Sequence, residues 1–202
     1  MNLTNPQSYL GQHPDPQTNE MMSAVISWFE KKGLKSIKQD WHEKTWNYDF
    51  VEFMKSEQVL ATLMTPAGYG QNAHWDTLRN VEFAEIAAFY GITFWYTFQV
   101  SMLGLGPIFN GDNEAVKHKA AQLLKEGKVF AFGLSEKEHG ADIYSSDMRL
   151  VPQADGSYLA RVASTISATA TKPRWFPFSA RTRRRATTCF SSSTRNTKNT
   201  SA

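Results

Sequence analysis

Phe130 to Asp142, FAFGLSEKEHGAD, is the stretch whose residue types could do chemistry. A short apolar, aromatic run, VFAFGLS, reads as a buried strand, and it empties into a loop dense in hydrogen-bonding groups. The end of a buried strand is a good seat for a planar ligand with a polar edge, because backbone N–H and C=O groups reach the edge while aromatic rings flank the face. The same residues also fit a plainer role, in which Ser135 and Asp142 satisfy turn amides. Other chemistries lack support. His13, His42, His74, His118 and His139 show no metal-ligand spacing and no cysteine stands with them, so no metal site is expected. Gly104 and Gly106 lack the third glycine of a dinucleotide loop and precede Pro107, which reads as a helix end.

The elements that must position this stretch are mostly helical. Met21, Met22, Val25, Ile26 and Phe29 recur at helical spacing after Pro16, and Gly33 stops the helix. Asp40 and Glu43 have the spacing of a capping box, with Trp46, Phe50 and Phe53 as the apolar stripe of the helix that follows. Ser56 to Leu63 reads as a short third helix, ended by the turn Thr65-Pro66-Ala67-Gly68-Tyr69-Gly70. Asp76 caps a helix whose Leu78, Val81, Ala84, Ala88 and Phe89 run toward Gly91. ITFWYTFQVSMLGLG is apolar around most of its circumference and predicts a buried helix. EAVKHKAAQLLKEG, capped by Asp112 or Asn113, turns Val116, Ala120, Leu123 and Leu124 inward and stops at Gly127. At Val129 the period changes to that of strands, and Ala154-Asp155-Gly156 marks a turn between two of them. The expected fold is α+β: an N-terminal all-α helical domain over 1–127, then the first strands of an antiparallel β domain over 128–162.

Residues 104–142 resemble the acyl-CoA dehydrogenase family. The matching parts are Pro107-Ile108, Gly111, the lysine-bearing helix from Lys117 to Leu124, Glu126-Gly127, and Ser135-Glu136-Lys137-Glu138-His139-Gly140-Ala141-Asp142 in place of Thr-Glu-Pro-x-x-Gly-Ser-Asp. Pro66 to Gly70 is similar to the family's Pro-x-x-Tyr-Gly turn, so the likeness spans most of residues 18–162. The resemblance implies FAD as cofactor, with Phe132, Leu134 and Ser135 at the flavin ring and Gly140 and Ala141 at the FAD phosphates and the CoA side of the substrate. Ala141 stands where serine is usual and Lys137 where proline is usual. Glu136 is read as a carboxylate that fixes the loop. Phe94, Trp95, Phe98, Gln99 and Met102 are implied as candidates for the acyl-chain cavity, beside the plainer alternative of core side chains. An acyl-CoA substrate, an electron-transfer partner and a homo-oligomer follow by the same resemblance. The family's catalytic base comes from a C-terminal α domain that this chain lacks, so no catalytic residue is assigned and the chain alone is expected to be inactive, with poor FAD retention.

The last 42 residues, 161–202, differ in kind. All 19 acidic side chains lie at or before Asp155, while 9 of the 22 basic ones fall in this tail. Such asymmetry raises the alternative of a helical nucleic-acid-binding protein using Arg181 to Arg185 as a phosphate-contacting arm. A third reading is a helical interaction module without catalysis. A one-register regrouping of permitted codons speaks against the arm. From Ala163 to Arg181 it yields Lys-Tyr-Tyr-Ile-Gly-Asn-Gly-Asn-Lys-Ala-Ala-Met-Val-Ser-Val-Phe-Gly-Lys, in which the Lys-x-Tyr/Trp-Ile-x-Asn-Gly part of the family's Gly-x-Lys-x-Tyr/Trp-Ile-x-Asn-Gly strand reappears. Residues 163–202 are therefore expected to be an out-of-frame, disordered tail with no nucleic-acid role. With one cysteine, Cys189, no disulfide framework is possible. No secretory leader or membrane span is legible, and a cytoplasmic setting is the expectation.

Overall fold

A computed structural model describes residues 5–71, 73–132, 135–136, 138–139, 142–145, 147, 149–161, 164–166, 175–181 and 186–192. They form two compact units, residues 1–99 with 114–128 and residues 100–113 with 129–202. The architecture is α+β, helices first and strands after.

In the first unit, a 3-10 turn at Pro6–Tyr9 leads into α1, Pro16–Lys32. Pro16 occupies the first turn, where its missing N–H costs nothing, and the Asp15 carboxylate accepts from the Gln17 and Thr18 amides. Met21, Met22, Val25, Ile26 and Phe29 all point inward, as their spacing requires. Gly33 then ends the helix at φ 74°, a left-handed value that favours glycine.

Helix α2, Leu34–His42, is absent from the sequence reading, because it buries no residue and so leaves no complete apolar stripe. Asp40 sits inside it and pairs with Lys32 at 2.6 Å, so the expected capping box does not form. Helix α3, Tyr48–Ser56, follows from Asn47, whose amide reaches the Thr97 hydroxyl at 3.3 Å instead of capping. Helix α4, Val59–Met64, buries Val59, Leu60, Leu63 and Met64.

Helix α5, Thr77–Tyr90, starts at the expected Asp76 cap but shows a different face to the core. Leu78 and Val81 are about half exposed, while Arg79, Asn80, Phe83, Ile86, Ala87 and Tyr90 are buried. The reason is polar: the Arg79 and Asn80 side chains donate to the carbonyls of Thr62, His74 and Leu63, and this rotates the helix. Helix α7, Glu114–Lys125, packs on α4, buries Ala120, Ala121, Leu123 and Leu124, and ends before Gly127 at φ 73°.

Helix α6, Ile92–Phe109, continues through Gly104, Gly106 and Pro107, which correct the helix-end reading of those glycines. In the second unit, β1, Ser135–Glu136, pairs antiparallel with β4, Ser164–Ile166. β2, Arg149–Pro152, and β3, Tyr158–Arg161, form the hairpin that Asp155-Gly156 announces, with Gly156 at φ 82°. β5, Trp175–Arg181, and β6, Ala186–Ser192, pair antiparallel, and β5 lies parallel to β2. Strands β4 to β6 thus fall in the stretch expected to be disordered. Its threonines and aromatic residues have the intrinsic preference for extended pairing.

The two N-caps share a histidine. His13 Nδ1 accepts the Asp15 amide at 3.1 Å, and its Nε2 lies 3.4 Å from the Asp76 carboxylate. The Thr18 hydroxyl, above all, holds the Asp15 carboxyl below its ordinary value of 3.8, and the Arg79 amide does the same for Asp76. A depressed carboxyl stabilises the fold at pH above that ordinary value, and the contribution is lost as pH falls through the lower folded value. The thermal midpoint of the helical unit is expected to be level at neutral pH and to drop below pH 3.8. Asp15→Ala should lower stability by about 1 kcal/mol at pH 7, and much less in acid, in paired urea titrations.

Candidate functional site

The second unit begins with a run of backbone held closely against α6. Val129, Phe130 and Ala131 are buried, and Ser101, fully buried on α6, clasps Phe130 from both sides. The Phe130 amide donates to Ser101 Oγ at 3.2 Å, and the hydroxyl donates to the Phe130 carbonyl at 3.4 Å. One turn further along, Gly104 faces the same run. A Cβ there would lie 2.7 Å from the Ala131 carbonyl oxygen and 3.1 Å from Phe130 Cβ. Glycine is what allows the strand-like run to lie this close to the helix.

Phe132 emerges half-buried from this clamp, and β1 places Ser135 opposite Ile166. Leu134, Gly140 and Ala141 lie outside the described residues. Glu136 accepts the Asp147 amide at 2.8 Å, a contact that ties the two ends of the loop together. Asp142 accepts the Ser145 hydroxyl at 2.5 Å and opens a 3-10 turn at Ile143–Ser145; this bond, first among its causes, holds the carboxyl below 3.8. Asp142 therefore takes the turn-satisfying role that its residue type allows. The donor atoms of Glu136, His139 and Asp147 lie within 4.8 Å of one another, a cluster that linear spacing does not reveal. Within it His139 Nε2 is 3.4 Å from the Asp147 carboxylate, and the Asp147 amide donates to Glu136.

The candidates for an acyl-chain lining separate by burial. Phe94, 3% exposed, packs edge-on against Phe29 and Phe50, and Phe98, 1% exposed, meets Phe83 at 4.8 Å between ring centroids. Both rings have the contacts of core side chains. Trp95, Gln99 and Met102 are half-buried, and the Gln99 side-chain amide makes no hydrogen bond among the described residues. A half-buried amide with free donor and acceptor atoms is suited to a polar group of a ligand.

The geometry can be compared with solved structures. Butyryl-CoA dehydrogenase from Megasphaera elsdenii superposes with a TM-score of 0.75 at 19% identity, over 91% of this chain and 50% of that one. This is the fold of the acyl-CoA dehydrogenases. An acyl-CoA dehydrogenase complexed with FAD from Bacillus anthracis shares the acyl-CoA dehydrogenase fold at a TM-score of 0.67 and 18% identity, over 95% of this chain and 34% of that chain. An FAD complex of PigA superposes at a TM-score of 0.71 and 13% identity, over 91% of this chain and 50% of that one. The chain thus spans half or less of the length of these proteins. No family model and no characterised protein matches the sequence itself. No helix among the described residues is long and apolar enough to cross a membrane.

Sequence reasoning misses two residues that shape the site. Ser101 and Phe130 are 29 positions apart and only the fold brings them together. A serine in the middle of an apolar helix was the available signal, since a buried hydroxyl demands partners. Gly104 was visible as a glycine, but its purpose is close approach, not helix termination.

Proposed function

We propose that this chain is the N-terminal half of a flavin-dependent dehydrogenase that acts on an acyl-CoA thioester. The observation that carries the reading is the coincidence of fold and motif: the acyl-CoA dehydrogenase fold over 91% of the chain, with SEKEHGAD, which resembles the family's loop in sequence, following the clamped run along the chain. The residues present fit FAD. A buried, hydrogen-bonded backbone run delivers the half-buried Phe132 and the Ser135 position at its end, as a rigid shelf for a planar ring requires.

In this reading Phe132, Leu134 and Ser135 orient the flavin ring, and Gly140 and Ala141 offer backbone donors to its phosphates and to the CoA side of the substrate. Gln99 and Met102 line the acyl side. FAD supplies a hydride acceptor when bound. Proton removal from the acyl α-carbon requires hydrogen-bond donors at the thioester carbonyl and a carboxylate base, and the family resemblance assigns the base to a C-terminal α domain. An electron-transfer protein as oxidant and a homo-oligomeric assembly are part of the same proposal.

A one-register shift near residues 161–163 would place the missing strand, and the remainder of the fold, in the alternative frame. The test is to restore that frame by a single-base change and to express the product. The expected protein is about twice as long, yellow, and bleached by an acyl-CoA, whereas the present chain binds FAD weakly and turns over none. A nucleotide sequence without the family pattern in any frame downstream of codon 155 would sink the frame argument. A restored, folded protein that takes up no flavin would sink the functional one.

A further inference from the structure

A cavity of about 430 Å³ opens in the helical unit, between α4 with its following turn and α7. Arg79 forms part of its lining, although the residue is 1% exposed. Its Nη2 donates to the carbonyls of Thr62 and His74, each at 2.6 Å, while its buried Nε has no hydrogen-bond partner. Among the described residues no carboxylate lies within ion-pair distance of the guanidinium; Asp76 and Asp15 act on it only from further away. A buried cation without a close counter-ion is costly, and the cost is offset where an anion can reach it. Burial accordingly pushes the Arg79 pKa down, more than those distant carboxylates raise it.

The rest of the lining suits an anion with an organic body. Lys125 and His118 stand exposed at the mouth, and the Lys125 ammonium makes no ion pair among the described residues. Ala61 and Ala121 leave the space, and Tyr69, its hydroxyl held by Glu114 at 2.7 Å, presents a fixed ring. The volume exceeds what one phosphate or carboxylate fills.

We propose that this cavity is a binding site for a small molecule bearing an oxyanion, a carboxylate or a phosphate ester, with Arg79 beneath and Lys125 and His118 at the mouth. The proposal stands on the helical unit alone and is independent of the flavin reading. The test uses the full chain, with AMP, inorganic phosphate and malonate titrated in turn at ionic strength held constant with sodium chloride, and the thermal midpoint as readout. A ligand that binds only the folded state raises the midpoint saturably. A response to AMP or phosphate assigns a phosphate ester, and a response to malonate assigns a carboxylate. Arg79→Gln could fail to fold, so the decisive variant is His118→Ala with Lys125→Ala, both exposed. It should keep its ligand-free midpoint and need roughly tenfold more ligand, the worth of a charge-assisted hydrogen bond. Midpoints that follow sodium chloride alone for all three probes, or an unweakened double variant, overturn the proposal.

Discussion

Phe29→Ala is expected to remove about 3–5 kcal/mol from the helical unit. The ring is fully buried in the last turn of α1, where it stacks on Tyr90 with centroids 4.4 Å apart and an interplanar angle of 10°. Phe50 lies at 5.4 Å and Phe94 meets it edge-on at 5.0 Å, so one side chain joins α1, α3, α5 and α6. Truncation leaves a cavity walled by three rings that are themselves anchored. Tyr90 cannot swing into it without giving up its hydroxyl bond to Glu30; burial above all, and then this bond, drives the phenol pKa up. Since whole domains are stable by about 5–15 kcal/mol, the variant should sit near its unfolding midpoint in mild urea. Phe29→Leu, which keeps most of the volume, should cost far less. Trp28, beside the cavity, reports the transition by fluorescence. A loss under about 1 kcal/mol for Phe29→Ala would mean that the ring cluster is not the centre of this core.

The contrast between α1 and α5 shows what the sequence makes legible. In α1 every apolar residue lies on one face and the opposite face is polar, so period and burial agree for Met21, Met22, Val25, Ile26 and Phe29. Helix α5 has apolar residues on both sides. Hydrophobic spacing selects Leu78, Val81 and Phe89, all of them exposed, because the orientation is decided by Arg79 and Asn80 reaching the carbonyls of neighbouring backbone. Hydrogen-bond demand of that kind is a tertiary fact, invisible to periodicity. Helix α2 illustrates the reverse case. With no buried residue it rests on local preference and its pairing with α1, including the Lys32–Asp40 ion pair, and the capping-box spacing of Asp40 and Glu43 drew the boundary in the wrong place.

The tail separates pattern from order. Its basic charge invited a nucleic-acid reading, and its codons invite a reading-frame one. Strands β5 and β6 add that threonine- and aromatic-rich sequence pairs readily, whichever frame produced it. Pairing of this sort carries no message about function. The role proposed for the Ser135 loop rests instead on motif order and on the clamped backbone before it.

The clamp itself yields the second large effect. Gly104→Val is expected to destabilise the second unit by about 3 kcal/mol or more, at the upper end of overpacking costs. Even a single Cβ would stand 2.7 Å from the Ala131 carbonyl oxygen, and the obstacle is backbone, which cannot rotate away as a side chain does. Either α6 or the 129–131 run must move, and movement breaks the paired bonds between Ser101 and Phe130. Helix propensity works in the other direction by a few tenths of a kcal/mol, far too little to compensate. Ser101→Ala isolates the hydrogen-bond part: it leaves the Phe130 amide buried and unpaired, for a loss of about 1–3 kcal/mol with no steric clash. Hydrogen exchange at the Phe130 amide is the local measurement. Protection there should fall in both variants, and further in Gly104→Val, while the amides of α1 keep theirs. If Gly104→Val leaves Phe130 protected, the close approach of helix and strand is not what the glycine serves, and the shelf proposed for the flavin loses its support.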